Sequence, residues 1–209
     1  MSKAGQGQLR LTGGRKLRSP RGEGTRPTTA RVREAVMNIL APQLRGAHWL
    51  DLCSGSGVMG CEALQRGVQR VVAVESQGAA AAICRINLET TASAQPTGPQ
   101  VTVVQRDLVR WLQQGRPTHD PGFDLVYFDP PYASGLYAAA LDALEQGLWL
   151  RPEALVLCEH ADKQKPAIPE GWRVVDQRRY GTSGVLFLSP PEHCPDGTGS
   201  RPQQTDPEG

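Results

Sequence analysis

Strand-like and helix-like segments alternate along most of this chain, and that alternation restricts its fold more than any other feature of the sequence. Short runs rich in valine, leucine and aromatic residues predict strands at residues 47–52, 70–75, 101–105, 123–128, 154–160, 172–180 and 185–189. Helix-like segments near residues 58–65, 78–88, 108–113 and 136–147 separate the first five strands. Strands joined through helices pack as a mostly parallel sheet with helices on both faces. The sequence therefore predicts an α/β fold built on a seven-stranded sheet.

Two hairpins and a further helix complete the predicted elements. Only residues 181–184 (Gly-Thr-Ser-Gly) separate the last two strands, so these strands are predicted to form an antiparallel hairpin. Near the N-terminus, Gly13 and Gly14 lie between two short apolar-containing runs and predict a smaller hairpin. A helix is predicted from about residue 30 to residue 40, and Pro42 is expected to end it.

Positive charge is concentrated at the N-terminus. Residues 1–33 contain nine Lys or Arg and the single acid Glu23, a balance of +8, whereas the whole chain has a formal charge of +2. A basic arm on an acidic body indicates binding to phosphates, because each cation that meets a phosphate releases a counterion. The sequence thus divides into a basic arm (1–27), a main domain (28–190) and a tail (191–209). The tail is rich in Pro, Gly and polar residues and is predicted to be disordered.

Composition excludes several classes of protein. The five cysteines are scattered and form no Cys-x-x-Cys pattern, so neither a disulfide framework nor a metal site is predicted. No apolar run approaches the roughly 20 residues that span a bilayer, and no signal peptide is recognisable. We therefore expect a cytoplasmic protein that needs neither a membrane nor a metal, and we expect a monomer.

A glycine-rich segment, residues 51–57 (Asp-Leu-Cys-Ser-Gly-Ser-Gly), lies where the first predicted strand ends and the next helix begins. Glycines there allow close approach of a ligand, and ligands of open α/β sheets bind beyond the carboxyl ends of the strands. The glycines also fit the G-x-G-x-x-G of dinucleotide-binding proteins, and Glu75 suits ribose hydroxyls in either case. Asp51 favours a cationic ligand such as the amino group of methionine, because its charge would repel a pyrophosphate.

The pattern D-x-x-x-G-x-G resembles the first motif of class I methyltransferases, whose sheet is a Rossmann-like variant with seven strands and a C-terminal antiparallel hairpin. This resemblance implies S-adenosylmethionine as cofactor. It implies that the loop binds the methionine moiety, that Glu75 and Ser76 bind the ribose, and that Asp107 and Leu108 bind the adenine. The loop residues meant are Asp51, Cys53, Ser54, Gly55, Ser56 and Gly57. The alternative for Asp107 is a helix N-cap without contact to a ligand, and the glycines could merely form a tight turn.

The segment Asp129-Pro130-Pro131-Tyr132 follows the fourth predicted strand and indicates methylation of an aromatic amine. The amine of a nucleobase is a poor nucleophile because its lone pair is delocalised into the ring. A carboxylate and a backbone carbonyl that accept its two hydrogens would direct that lone pair to the methyl group. Asp129 and the carbonyl of Pro130 are predicted to do this, Pro131 stiffens the turn, and Tyr132 offers a face for stacking the base. The alternative is a turn that only ends the strand.

Together these motifs resemble one family, the bacterial small-subunit (16S) ribosomal RNA guanine-N2 methyltransferases. Besides the two segments above, the resemblance rests on residues 10–15 (Arg-Leu-Thr-Gly-Gly-Arg), 26–28 (Arg-Pro-Thr), 31–34 (Arg-Val-Arg-Glu), 62–64 (Glu-Ala-Leu) and 147–150 (Gly-Leu-Trp-Leu). It implies that the target is a guanine of small-subunit ribosomal RNA, alone or within the 30S particle. The residues implied to contact RNA are Arg10, Arg15, Lys16, Arg18, Arg26, Thr28 and Arg31.

Three other functions stay open on the sequence alone. A DNA amino-methyltransferase shares the Asp-Pro-Pro-Tyr segment, but such enzymes usually need a large region that reads bases in a groove. A nicotinamide-dependent oxidoreductase would explain the glycines and Glu75 but neither Asp51 nor Asp129. A ribosome assembly factor that binds RNA without catalysis would have no use for a turn that positions an amine.

Overall fold

The computed structural model describes residues 9–19, 29–131 and 135–192. The strands are β1 (His48–Leu52), β2 (Arg70–Glu75), β3 (Gln100–Gln105), β4 (Phe123–Phe128), β5 (Leu150–Ala161), β6 (Arg173–Tyr180) and β7 (Ser183–Ser189). The helices are α1 (Ala30–Leu44), α2 (Val58–Gln65), α3 (Gly78–Ala92), α4 (Leu108–Leu112) and α5 (Leu136–Gln146). The strands form a single sheet in the order β3-β2-β1-β4-β5-β7-β6. Strands β1 to β5 are parallel, and β7 runs antiparallel to both β5 and β6.

Helices cover both faces of the sheet, and each face has its own apolar core. Successive side chains of a strand point to opposite faces, so Trp49 of β1 packs with α1, α2 and α3, whereas its neighbour Leu50 packs with α4 and α5. The predicted α/β architecture, with a mostly parallel seven-stranded sheet, is confirmed. Within the described ranges, no helix combines the length and the apolar character needed to cross a membrane.

The turn between β6 and β7 is tight, as the sequence predicts. Tyr180 pairs with Ser183, so only Gly181 and Thr182 lie between the paired strands. Gly181 has φ +64, which glycine adopts without strain and which a two-residue hairpin requires at this position. The turn lies at the carboxyl edge of the sheet, because Ser183 also pairs with Ala161 at the end of β5.

The small N-terminal hairpin is also present, and it packs against the main domain. Arg10 and Lys16 form an antiparallel bridge, and the amide of Leu17 donates to the carbonyl of Leu9 at 2.9 Å. Leu11 and Leu17 are buried in the core formed by α1, α2 and α3. The division into arm, domain and tail stays a prediction, and most of the predicted tail (193–209) lies outside the described residues.

The predicted end of α1 is wrong. The helix continues through Pro42 to Leu44, four residues beyond the expected end at residue 40. Proline near the C-terminal end of a helix removes only one hydrogen bond, and Leu44 is buried in the core at 1% exposure. The predicted start of β5 at residue 154 is also too late, since the strand begins at Leu150. Pro152 lies in this added stretch, where the pairing with β4 shifts register between Phe123 and Leu125.

Candidate active site

Four carboxylates lie at the carboxyl edge of the sheet, on four neighbouring strands. Asp51 is near the end of β1 and Glu75 ends β2, while Asp107 and Asp129 follow β3 and β4 closely. Cys53 lies among them. Burial, followed by the negative charges of all four carboxylates, raises the pKa of its thiol to about 12. Because these four strands are parallel neighbours in the sheet, their carboxyl ends bring together all the acids that the sequence predicts for cofactor and amine binding.

Asp51 is the most buried of the four, at 2% exposure. Its Oδ2 accepts a hydrogen bond from the amide of Gly60 at 3.1 Å, which ties the strand to α2. Burial raises the pKa of Asp51 to about 7, and the charge of Glu75 acts in the same direction, while the Gly60 hydrogen bond opposes the rise. Among the described residues, no Lys, Arg or His forms a salt bridge with Asp51, Glu75 or Asp107. The site therefore suits a cationic ligand.

The loop after β1 needs its glycines. Cys53, Gly55 and Gly57 all have positive φ, at 58°, 54° and 73°. A Cβ added at Gly57 would lie 2.7 Å from the Sγ of Cys84, whereas one added at Gly55 would meet no atom within 4 Å. Gly57 is thus fixed by close packing on α3, and Gly55 borders open space that a ligand can use.

Glu75 holds this loop in place. Its Oε2 accepts from the amide of Gly55 at 2.8 Å, and its Oε1 accepts from the amide of Gln77 at 2.9 Å. The hydroxyl of Ser76 also points to Oε1, at 3.5 Å. A carboxylate oxygen can accept more than one hydrogen bond, so Glu75 retains capacity for the hydroxyls of a ribose.

Asp107 is the N-cap of α4, as the alternative interpretation expects. Its Oδ1 accepts from the amide of Arg110 at 2.9 Å, and this bond stabilises the first turn of the helix. The side chain is exposed, and a carboxylate has a second oxygen that can accept hydrogen bonds, so a capping role and a role in adenine binding are compatible. The next residue, Leu108, is the first residue of α4 and is buried in the core on that face of the sheet.

The Asp-Pro-Pro segment begins beside the loop after β1. The amide of Asp129 approaches the carbonyl of Leu52 at 3.4 Å, so the first residue of the turn is tied to the strand that ends in the glycine loop. Asp129 is half-buried, Pro130 is buried and Pro131 is exposed. Tyr132 lies outside the described residues.

The sequence analysis missed a polar group beneath this turn. The hydroxyl of Tyr127 on β4 donates to Oε2 of Glu159 on β5 at 2.5 Å, and burial and the charge of Glu159 raise the pKa of Tyr127 well above its usual range. The hydroxyl of Tyr137 on α5 donates to the carbonyl of Glu159 at 2.6 Å. A glutamate within the apolar run of β5 is the signal that could have revealed this arrangement, because buried carboxylates require partners.

The basic residues of the hairpin point outward. Arg10, Arg15, Lys16 and Arg18 are all exposed, and so is Arg31 in the first turn of α1. Arg26 and Thr28, which the family resemblance also implies, lie outside the described residues.

Three buried side chains, to which the sequence analysis assigned no functional role, attach the hairpin to the domain. Oε1 of Glu62 on α2 accepts from the amide of Thr12 at 2.9 Å, and Asn87 on α3 pairs with the backbone of Arg18. Arg33 on α1 donates to the carbonyl of Arg10 at 2.8 Å. Contacts from three helices therefore hold the basic hairpin against the domain.

The sheet order, the antiparallel last strand and the acid-flanked glycine loop define a class I methyltransferase, and the methyl donor of this class is S-adenosylmethionine. Within this class, the chain belongs to the family described as Conserved hypothetical protein 95, whose sequence profile matches residues 7–189.

Similar proteins agree with this assignment. Ribosomal RNA small subunit methyltransferase D of Haemophilus influenzae is 34% identical over 181 residues, which cover 84% of this chain and 91% of that protein. The protein of the same name from Escherichia coli K12 is 35% identical over 183 residues, which cover 85% and 88%. A solved Escherichia coli structure described as a methyltransferase is 34% identical, has a TM-score of 0.73, and matches 88% of this chain and 99% of its own. The resemblance inferred from the sequence motifs is confirmed at the level of the family.

Proposed function

We propose that this protein transfers a methyl group from S-adenosylmethionine to the exocyclic N2 amine of a guanine in small-subunit ribosomal RNA. The main support is that Asp51, Glu75, Asp107 and Asp129 lie at the carboxyl ends of four neighbouring strands, so that the acids expected for the cofactor and the acid expected for the amine share one edge of the sheet. The names of the relatives support ribosomal RNA of the small subunit as the substrate.

The acidic side of this site fits the cofactor. S-adenosylmethionine carries positive charge on its sulfonium and amino groups, and it supplies an electrophilic methyl group when bound. Asp51 and the loop of Gly55 and Gly57 would hold the methionine moiety, Glu75 the ribose and Asp107 the adenine. The buried carboxylate of Asp51 gains most from a cationic partner, because electrostatic attraction is strongest where water is excluded.

Asp129 and Pro130 would prepare the amine. The carboxylate of Asp129 accepts one of its hydrogens and the carbonyl of Pro130 accepts the other, which turns the nitrogen lone pair toward the cofactor. Asp129 also takes up the proton that the amine must lose. Pro130 is buried and precedes a second proline, which restricts its ψ, so its carbonyl needs little reorganisation. Tyr132 is proposed as the stacking face for the guanine, with a contribution of about 1–3 kcal/mol.

The hairpin would bind the RNA backbone. Arg10 and Lys16 lie opposite each other in its antiparallel bridge, and two like charges in that position repel each other unless an anion lies between or above them. A phosphate group supplies such an anion. Arg15, Arg18, Arg26, Thr28 and Arg31 are proposed to extend this contact surface toward the active site.

Asp129→Asn tests the mechanism, because it keeps the shape of the side chain but removes its charge. We expect methyl transfer to small-subunit RNA that lacks its native base methylation to fall by about 10²- to 10⁴-fold. Binding of S-adenosylhomocysteine should change by less than about threefold. Asp142→Asn on α5, outside the four-acid cluster, is the matched control and should transfer methyl groups at the wild-type rate.

Nucleoside analysis of the labelled product tests the substrate. Label in N2-methylguanosine supports the proposal. Label in N6-methyladenine of a DNA control, with none in RNA, would move the substrate to DNA and keep the amine mechanism. Transfer by Asp129→Asn at the wild-type rate would contradict the mechanism, and wild-type protein that binds RNA without any transfer would indicate a non-catalytic assembly factor.

A further inference from the structure

Asn87, a buried residue of α3, joins the basic hairpin to the cofactor loop through one side chain. Its Oδ1 accepts from the amide of Arg18 at 2.9 Å, and its Nδ2 donates to the carbonyl of Arg18 at 3.0 Å. The same Nδ2 donates to the carbonyl of Ser56 at 2.9 Å. Both amide hydrogens are therefore used, and the residue is only 3% exposed.

The two partners of Asn87 belong to different parts of the proposed mechanism. Arg18 lies in the hairpin, and its guanidinium is exposed where RNA is proposed to bind. Ser56 lies between Gly55 and Gly57 in the loop proposed to hold the methionine moiety. The other polar attachments of the hairpin are Thr12 to Glu62, the carbonyl of Arg10 to Arg33, and Arg15 to the carbonyl of Thr90. They end on helices α2, α1 and α3, and none of them reaches the loop.

The loop has little freedom to absorb a change at Ser56. Residues on both sides of it have positive φ, and Gly57 packs directly on Cys84 of α3. Glu75 fixes Gly55 from the opposite side. A shift of Asn87 must therefore either break its bond to Ser56 or change the conformation of the loop, since closely packed segments move between discrete arrangements.

We propose that Asn87 is a positioning residue that couples RNA binding on the hairpin to cofactor binding in the loop. RNA that binds Arg18 restricts the backbone of that residue, and with it the side-chain amide of Asn87. The same amide then restricts the Ser56 carbonyl and so the conformation of the loop. Such coupling is reciprocal, so the cofactor tightens RNA binding by the same factor. This inference rests on the proposed function, because it requires that the protein bind both ligands.

The test compares affinities for S-adenosylhomocysteine with and without RNA. Isothermal titration calorimetry on the full chain gives the Kd alone and in the presence of saturating protein-free small-subunit ribosomal RNA. For the wild type we expect RNA to lower this Kd by about fivefold or more. For Asn87→Leu, which has a similar volume but no polar group, we expect the two Kd values to agree within about twofold. Asn87→Asp keeps the acceptor for Arg18 but loses both donors, and it should lose the coupling too.

Thr91→Val separates coupling from general damage to α3. The Thr91 hydroxyl donates to the backbone carbonyl of Asn87 at 2.7 Å in the same buried part of the helix. This variant loses a buried hydrogen bond but leaves the side-chain contacts of Asn87 intact. It should unfold at a lower temperature than the wild type and still show the wild-type ratio of Kd values.

Hydrogen exchange on the wild type provides a readout that needs no variant. The amide of Gly57, which donates to Ser54 at 2.7 Å, should exchange more slowly when RNA is bound. Slower exchange in the hairpin alone would overturn the proposal, as would equal coupling in the wild type and the Asn87 variants or no coupling in the wild type. A wild-type protein that binds only one of the two ligands would instead refute the proposed function.

Discussion

Asp51 shows how a residue suited to binding a ligand can weaken the fold. Burial raises the pKa of its carboxyl from 3.8 to about 7, so the folded protein keeps a proton there that the unfolded chain has already lost. Between about pH 4 and pH 7 the unfolded state therefore gains stability relative to the folded state as pH rises. Above pH 7 the folded protein holds a buried charge, at a cost on the order of 4 kcal/mol.

Replacing Asp51 with Asn should remove this cost. Asparagine is neutral, and its Oδ1 can still accept from the amide of Gly60. At pH 8 we expect the melting temperature of Asp51→Asn to exceed that of the wild type by about 8–16 °C, while at pH 4 the two should melt close together. Binding of S-adenosylhomocysteine should weaken by about tenfold or more, because a charge-assisted hydrogen bond to its amino group is lost.

Scanning calorimetry between pH 4 and pH 8, together with titration calorimetry at pH 8, checks both parts of this prediction. Asp142→Asn is the control and should show no pH-dependent difference from the wild type. If the wild type were more stable than Asp51→Asn at pH 8, the folded protein would stabilise the ionised carboxylate of Asp51. That result would contradict the raised pKa of this group.

At the scale of elements, the loop between β1 and α2 shows why two neighbouring glycines are not equivalent. Gly55 and Gly57 both have positive φ, but only Gly57 lies against another side chain, Cys84. Alanine at either position adds the strain of a left-handed conformation, about 1–2 kcal/mol. At Gly57 it also forces a 2.7 Å contact with sulfur, and overpacking of this kind costs typically 1–3 kcal/mol more.

Gly57→Ala should therefore lower the free energy of unfolding by about 2–5 kcal/mol, and Gly55→Ala by about 1–2 kcal/mol. Urea denaturation of both variants measures the difference, and Gly55→Ala serves as the control for backbone strain alone. Equal destabilisation would mean that Cys84 moves aside without cost. In that case, packing on α3 does not restrict the loop.

Glu62 connects three elements, because it binds the hairpin, α1 and α2 at once. Oε1 accepts from the amide of Thr12 and lies 3.6 Å from Nε of Arg33, and Oε2 accepts from Arg66 at 2.7 Å. The carboxylate is fully buried, so neutralising it removes a negative charge that lies beside the guanidinium groups of Arg33 and Arg66. The hairpin should then detach more easily than the rest of the domain.

Glu62→Gln should lower the free energy of unfolding by about 2–4 kcal/mol. The amides of Thr12 and Leu17 should also exchange hydrogen markedly faster, because the hairpin loses its attachment to α2. Hydrogen exchange read by mass spectrometry, with urea denaturation for stability, measures both effects. Glu89→Gln, an exposed glutamate of α3, is the control. Unchanged exchange in the hairpin would show that Leu11 and Leu17 suffice to hold it.

Local patterns in the sequence account for most of these elements but not for the contacts between them. The periodicity of apolar residues shows whether an element is buried on one side or on both, so the strands and their mostly parallel arrangement could be predicted. The position of the four acids at one edge of the sheet could be predicted, because parallel strands bring their carboxyl ends together, while their roles stay a prediction. Pro42 misled the prediction of α1, since the burial of Leu44 outweighs the loss of one hydrogen bond. The contacts of Glu62 with Thr12 and of Asn87 with Arg18 join residues that are 50 and 69 positions apart in the sequence. A local sequence pattern cannot predict contacts over such separations.

At the scale of the whole molecule, the uneven distribution of charge determines which surface is expected to bind a polyanion. The basic N-terminal region carries +8 within a chain of +2, and its described hairpin is fixed on the domain by α1, α2 and α3. The same three helices pack on the face of the sheet whose carboxyl edge forms the proposed active site. The exposed cations of the described hairpin therefore lie on a surface that is fixed to the domain, and an RNA held there would have a defined orientation toward Asp129.

This arrangement predicts the salt dependence of RNA binding. Each phosphate contact contributes about 0.7 to the slope of log K against log salt concentration for single-stranded RNA. The double variant Arg10→Gln/Lys16→Gln should reduce that slope by about 1.4 and weaken binding at low salt, while the Kd for S-adenosylhomocysteine without RNA stays unchanged.

Arg173→Gln, an exposed arginine on β6 at the opposite, amino-terminal edge of the sheet, is the matched control and should keep the wild-type slope. Filter binding between 50 and 300 mM salt measures all three proteins. If the double variant and the control gave equal slopes, the bridge of Arg10 and Lys16 would not contact phosphate, and the RNA would approach the active site from another side.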